Sequence, residues 1–266
     1  MINQVYKLNT KHPLARGLKL WWLCTPDTYG SVKMTDLCSN IPGTLTNMTS
    51  ANRGWANKPN PAGQWAIYTD GTSGNRVEGV GIDCMASPST AWSMSFWHSR
   101  NGAAQLACFV ARTSTGRSGA ESSATSNGLN LFVNATTNYY LSTIGLEDVW
   151  NHHVITYNAG AFAHFMNGKS QSLTLTGTIP TAVTGTKAAT QMGSSTDASK
   201  SGVGWYNDAR IWNRALSATE CVAVYRESYA GNPNLLLKRQ FAANYYLPML
   251  FRTMDLNGLG RNNLLG

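Results

Sequence analysis

Between Gln64 and Gly177 the chain repeats one pattern: a run of six to eight largely apolar, aromatic and β-branched residues, then a turn. That rhythm constrains the fold more than any other feature. The runs are "QWAIYTD" (64–70), "RVEGVGID" (76–83), "WSMSFWHS" (92–99), "QLACFVAR" (105–112), "LNLFVN" (129–134), "NYYLST" (138–143), "WNHHVITY" (150–157), "AFAHFMNG" (161–168) and "QSLTLTG" (171–177). All are far too short to cross a membrane as helices. Short strands at close spacing with turns between them predict an antiparallel sandwich or barrel. "NAG" at 158–160 and "NGK" at 167–169 supply hairpin chemistry, because Asn and Gly tolerate positive φ.

The flanks read differently. "LKLWWL" (18–23) is one more strand, but Pro26, Gly30, Pro42, Gly43, Gly54, Pro59, Pro61 and Gly63 make 24–63 a turn-rich stretch. Residues 113–128 and 194–202 are rich in Ser, Gly and Thr and read as loops. A length of 266 residues fits one large β domain. The expected division is an N-terminal arm at 1–11, a body at 12–232 and a C-terminal extension at 233–266.

The body closes on "VGWYNDARIWNRALSATECVAVYRE" (203–226). Strict alternation puts Val203, Trp205, Asn207, Ala209 and Ile211 on one face of a strand and Tyr206, Asp208, Arg210 and Trp212 on the other. Arg210 beside Trp212 then makes a candidate cation–π pair. Ser217 and Glu220 form a Ser-x-x-Glu capping box at a helix start. The predicted buried stripe is Ala218, Cys221, Val222, Tyr225 and Tyr229, and Gly231 and Pro233 end the helix.

This closing segment resembles that of the LamG-like jelly-roll family within the concanavalin A-like lectin/glucanase superfamily. "HPLARGLKLWWL", "WAIYTDGTSGNRVEGVG", "AWSMSFWHSR" and "WNHHVITYNAGAFAHFMNGK" resemble other strands of that family in the same order. The likeness spans about residues 12–230. It implies an all-β antiparallel sandwich, a concanavalin A-like jelly roll, with one short C-terminal helix followed by an extended tail. It implies no particular activity, because the fold carries lectins, hydrolases, adhesion modules and particle proteins.

Candidate sites follow from that likeness. Related glucanases carry Glu-x-Asp-x-x-Glu on one strand; here the adjacent acids Glu147 and Asp148 read as a surface turn, so no catalytic residue is assigned. Calcium is common in the superfamily and needs six to eight oxygens. Asp36, Asp70, Asn207 and Asp208 are the contributors the resemblance suggests; their other reading is hydrogen bonding within turns. Lectins stack sugars on Trp or Tyr. The candidates are Trp55, Tyr139, Tyr140, Trp205 and Tyr206, with Trp65 and Trp212 as further aromatics. His152, His153 and His164 read as packing histidines, since a zinc site would want a further ligand and its supporting shell.

Five cysteines form no CxxC, and the N-terminus has no apolar signal core. Reduced thiols in a protein made in a host cytoplasm are expected, with Cys24–Cys38 the pair to form if the protein works outside a cell. The net charge is +8, of which residues 1–19 and 236–266 carry +7. Such ends suit docking on an acidic surface; solvated tails are the competing reading. No base-stacking motif accompanies the charge, so nucleic acid is not an expected partner. Lys238, Arg239, Phe241, Tyr245, Tyr246, Leu250, Phe251 and Arg252 are the predicted assembly anchor. Similar stand-alone chains occur in phages and bacteria. The expected function is a non-enzymatic structural protein of a phage-like particle, a capsid decoration, fibre or appendage subunit of the virion with a lectin-like outward domain. It would homo-oligomerise and touch other subunits or glycans, without a membrane. A free carbohydrate-binding module is the alternative, and a glycoside hydrolase a distant third.

Overall fold

The computed structural model describes residues 5–24, 32–48, 60–63, 65–72, 74–101, 107–122, 128–134, 140–145, 147–193, 203–230 and 235–239. In chain order the strands are β1 (Val5–Leu8), β2 (Leu18–Leu23), β3 (Lys33–Asp36), β4 (Gly43–Thr46), β5 (Ile67–Asp70) and β6 (Arg76–Val80). Then come β7 (Ala91–Arg100), β8 (Ala107–Thr113), β9 (Arg117–Ser122), β10 (Gly128–Phe132), β11 (Tyr140–Thr143), β12 (Trp150–Asn158) and β13 (Ala161–Met166). The last are β14 (Lys169–Ser170), β15 (Thr174–Leu175), β16 (Lys187–Gly193) and β17 (Val203–Trp212), the helix α1 (Ala218–Tyr229), and β18 (Leu236–Arg239).

The strands form two layers. The first runs β14-β13-β12-β7-β17-β2, with β5 beside the start of β17; the second runs β4-β6-β16-β8-β9-β10-β11-β15. β3 pairs with both β2 and β4 and rolls one layer into the other. Leu20, Trp22, Met94, Phe96, Ile155, Tyr157, Tyr206 and Ile211 point inward from the first layer. They meet Leu45, Val77, Phe109, Ala111, Leu129, Leu131 and Met192 from the second. The expected antiparallel sandwich is what forms, and apolar burial between the layers is its main stabilisation.

α1 lies on the outer face of the first layer. Leu14, Leu18, Trp21, Leu23, Val154, Trp212, Leu216, Cys221 and Val224 make a second apolar cluster there. This is why β7 is buried on both faces instead of alternating. The capping box is present: the Ser217 side chain accepts from the Glu220 N–H and the Glu220 side chain accepts from the Ser217 N–H. Arg214 adds a two-pronged ion pair to Glu220, at 2.7 and 2.9 Å. The buried stripe, however, is Cys221, Val224 and Ser228, whereas Ala218 is exposed, Val222 and Tyr225 are half-buried and Tyr229 is 51% exposed. Helical spacing alone does not fix which side of the stripe is buried; a small Ser228 is what the close approach of helix and sheet admits.

Three other expectations change. The turn-rich 24–63 stretch contains β3 and β4. The 113–128 "loop" contains β9, where Gly119 (φ 141°) sits so close to β8 that a Cβ would lie 2.4 Å from the Phe109 carbonyl oxygen. Small residues there reflect close backbone approach, not a loop. β16 was not anticipated, and the 171–177 run keeps only the two residues of β15.

Alternation in β17 also breaks. Its pairing with β7 jumps from Asn207–Trp97 to Arg210–Ser95, a bulge with Asp208 at φ 52°. The extra residue turns Tyr206 inward with Ala209 and Ile211, and leaves Asp208, Arg210 and Trp212 outward.

Candidate functional site

The bulge organises the outer face of the first layer. The Asp208 carboxylate accepts from the Trp21 indole (2.6 Å) and Arg210 Nε (2.8 Å) at Oδ1. At Oδ2 it accepts from Arg210 Nη2 (2.5 Å) and from the Ser228 hydroxyl on α1. Trp97 Nε1 in turn donates to Ser228 Oγ at 2.6 Å. Burial alone would raise the Asp208 pKa, but the Arg210 charge and the Arg210 and Ser228 hydrogen bonds outweigh it and hold the carboxyl below its ordinary range. The Arg210 guanidinium stacks 4.5 Å from the centre of the Trp21 ring. The expected pairing with Trp212 is therefore corrected: Trp212 donates to the Leu14 carbonyl instead.

With four donors the carboxylate of Asp208 is saturated. Asn207 Oδ1 accepts from the Cys24 and Asp208 N–H groups. Asp36 accepts from the N–H groups of Trp21, Cys38, Ser39 and Ile41 and from the Ser39 hydroxyl. Asp70 accepts from Thr72 N–H and Asn75 Nδ2. The four residues suggested for calcium thus serve local turns and the bulge, and among the described residues no three His, Cys, Asp or Glu groups gather to hold a metal.

The aromatic candidates also separate. Tyr206 is fully buried and stacks on His98 at 4.8 Å, so it belongs to the interior. Trp205 is half-buried on the outer face and packs on Tyr68 at 4.7 Å, with the two residues paired across β17 and β5. Tyr140 lies in β11, while Trp55 and Tyr139 fall outside the described residues. Tyr68 was missed because only the β5–β17 pairing brings it to Trp205.

The histidines sit inside or beneath the first layer. His153 Nδ1 lies 3.0 Å from His164 Nε2, and His164 Nδ1 lies 2.7 Å from Ser142 Oγ. Burial pushes His152 and His153 down to about 3 and His164 well below its usual value. They are neutral packing groups at physiological pH. The thiols of Cys24 and Cys38 are both free; Cys24 contacts the Tyr206 carbonyl and Cys38 the Leu18 carbonyl, while burial drives Cys38 up to about 11 and Cys84 to about 12.

Two described segments far apart in the sequence, 5–8 and 236–239, pair with each other. β1 pairs antiparallel with β18, placing Lys7 opposite Leu237, Tyr6 opposite Lys238 and Val5 opposite Arg239. Buried Leu235 and half-buried Leu8 root this ribbon in the apolar cluster beneath α1. Phe241, Tyr245, Tyr246, Leu250, Phe251 and Arg252 lie outside the described residues.

Residues 74–221, more than half of the chain, match the profile of the concanavalin A-like lectin/glucanases superfamily. The chain belongs to that superfamily. No curated protein matches the sequence. Solved structures show the same fold at low identity. A Trypanosoma rangeli sialidase in complex with sialic acid is 11% identical, with a TM-score of 0.56 over 80% of this chain and 33% of the sialidase. The receptor binding domain of botulinum neurotoxin D is 12% identical, with a TM-score of 0.52 over 80% of this chain and 53% of that one. This superfamily member therefore spans about a third of the sialidase it resembles, and these likenesses speak to fold alone.

Proposed function

We propose that the chain is a non-enzymatic structural subunit of a phage-like particle: a lectin-like sandwich attached through its paired ends. The observation that carries this reading is the β1–β18 ribbon. It gathers Lys7, Lys238 and Arg239 from opposite ends of the sequence into one cationic element rooted on the helix side of the body. Such an element suits an acidic surface on a neighbouring subunit. The described carboxylates also favour a structural role. Asp208, Glu220 and Glu78 are engaged by Arg210, Arg214 and Arg76, and Glu121 by Arg117.

Incorporation tests the reading. Particles assembled with the full chain are expected to carry it, and a chain ending at Leu235 is expected to stay folded but be absent from purified particles. Normal incorporation of the shortened chain removes the attachment role. The half-buried Tyr68–Trp205 pair on the outer face favours a second, compatible reading, in which the sandwich binds glycans. The shared fold of a toxin receptor binding domain is in keeping with it.

A further inference from the structure

The β1–β18 ribbon has a counterpart elsewhere on the same chain. Glu147 and Asp148 are the one pair of adjacent acids in the sequence, and both are exposed. Asp148, at φ 57°, donates its N–H to the Arg100 carbonyl at 2.8 Å, which fixes the acidic turn against the end of β7. The turn runs through Val149, 46% exposed, into half-buried Trp150. Trp150 meets Trp97 edge-on at 6.5 Å, and Trp97 lies 6.5 Å from Tyr229, the half-exposed last residue of α1. Strand register extends this surface: Trp150 opposes Ser99, Ser99 opposes Trp205, and Trp205 opposes Tyr68. The row crosses three strand spacings, about 14 Å. Exposed Asp70 lies two residues beyond Tyr68.

Aromatic rings flanked by carboxylates suit Lys and Arg side chains, which stack on the rings and pair with the acids. The ribbon carries such residues: Lys7 is exposed, and register sets Lys238 across from Tyr6 and Arg239 across from Val5. A two-stranded ribbon is marginally stable alone and gains by packing on a surface. Within one copy the patch stays uncovered, since Val149 and Tyr229 are 46% and 51% exposed. A second copy carries the matching cations. Of the net charge of +8, residues 1–19 and 236–266 hold +7. Contact between two ribbons would therefore set like charges together, whereas contact of ribbon with patch sets opposite charges together.

We infer that the ribbon of one copy docks on the Glu147–Trp150–Tyr229 surface of the next. The contact joins two different surfaces, so it repeats from copy to copy and either closes a ring or extends a filament. The inference rests on the attachment reading and names the acidic surface that the ribbon meets: a second copy of this chain.

Sedimentation velocity of the full chain at about 100 μM, where a micromolar contact is populated, should show oligomers. Two variants each block one surface. Glu147→Lys with Asp148→Asn reverses the patch and keeps at 148 a residue that tolerates positive φ; Lys7→Glu with Lys238→Glu reverses the ribbon. Each should lose at least about tenfold in self-affinity, with a melting temperature near that of the wild type. An equimolar mixture of the two should associate again, because each keeps the surface the other lacks. Tyr229→Ser, which alters no charge, should also weaken self-association. A wild-type chain that stays monomeric overturns the inference. So does undiminished association in the patch and Tyr229 variants, or a mixture of two folded variants that stays monomeric. A monomeric wild type that is still incorporated into particles overturns only the self-docking and leaves the attachment reading standing. A self-associating chain that is absent from particles upholds the contact and removes the attachment reading.

Discussion

Ser228, in the last turn of α1, donates its hydroxyl to the carboxylate of Asp208 in the bulge of β17. The bond joins helix to sheet through a network with no exposed member: Asp208, Arg210, Trp21, Trp97 and Ser228 are all at most 1% accessible. Asp208→Asn keeps the shape but leaves the Arg210 charge buried without its counter-ion, so a loss of about 3–5 kcal/mol is expected. Ser228→Ala removes one partner each from Asp208 and Trp97 and should cost about 1–3 kcal/mol. Combining Asp208→Asn with Arg210→Met should cost less than the sum of the two single changes. Urea unfolding of the four proteins measures this; strict additivity would contradict a coupled pair.

Acid should destabilise the fold well above the carboxylate range. His152, His153 and His164 have folded pKa values held far below the unfolded value of about 6.5, chiefly by burial. Above pH ~6.5 neither state binds these protons and their contribution is fully present. As pH falls below ~6.5 the unfolded chain takes up protons the folded one refuses, and stability is lost until pH nears the folded values, about 3 for His152 and His153. The slope is up to about 1.4 kcal/mol per pH unit for each histidine. Urea midpoints at pH 7.5, 6.0 and 5.0 should fall steadily, and a flat profile over that range would refute the assignment.

His152 allows a sharper test. Neither ring nitrogen has a hydrogen bond, and the ring is wedged between Trp97 and Tyr225. His152→Phe keeps an aromatic ring and removes two unpaired polar atoms. A gain of about 1 kcal/mol at neutral pH is expected, with a shallower loss below pH 6.5. Destabilisation with an unchanged pH slope would show that the nitrogens are not the cost.

Gly119→Ala should be among the most damaging single-methyl additions in the second layer. The new Cβ would stand 2.4 Å from the Phe109 carbonyl oxygen and 2.9 Å from the Val110 Cα, both backbone atoms, at a φ of 141°. A loss of about 3 kcal/mol follows from strain and overpacking together. A melting temperature equal to that of the wild type would mean that β8 and β9 are not so closely apposed.

At the helix start, Ser217→Ala removes the side chain that accepts from the Glu220 N–H. About 1 kcal/mol is expected. Glu220→Gln should cost a similar amount or more, because it also breaks the two-pronged pair with Arg214. The Glu220 carboxyl is held down to about 2, by Arg214 foremost, so its contribution is full above the ordinary carboxylate value of about 4.5, declines as pH falls below it and is gone once pH passes about 2. Denaturation curves of both variants at pH 7 and pH 3 check the order.

Much of the fold could be read from local pattern. The hairpin turns at 158–160 and 167–168, the apolar runs of β7 and β12, and the Ser217–Glu220 cap each depend on residues close in sequence, where backbone preference and side-chain spacing suffice. β9 and β16 escaped because their Ser, Gly, Thr and Ala content reads as loop until one sees the neighbouring strands that need small residues. Tyr206 escaped for a related reason: one extra residue at Asp208 reverses the facing of everything before it, and a bulge has no periodic signature.

The sequence by itself determined a two-layer antiparallel β body, its single capped helix and its cationic ends, because alternation, turn chemistry, capping and charge are properties of neighbouring residues. Only the tertiary structure decided that residues 5–8 and 236–239 pair as β1 and β18, and that Asp208 saturates its carboxylate on Trp21, Arg210 and Ser228. It alone set Tyr68, Trp205, Ser99 and Trp150 side by side. Each of those relationships joins strands far apart in the chain, and strand register depends on how all the strands pack together rather than on any one segment.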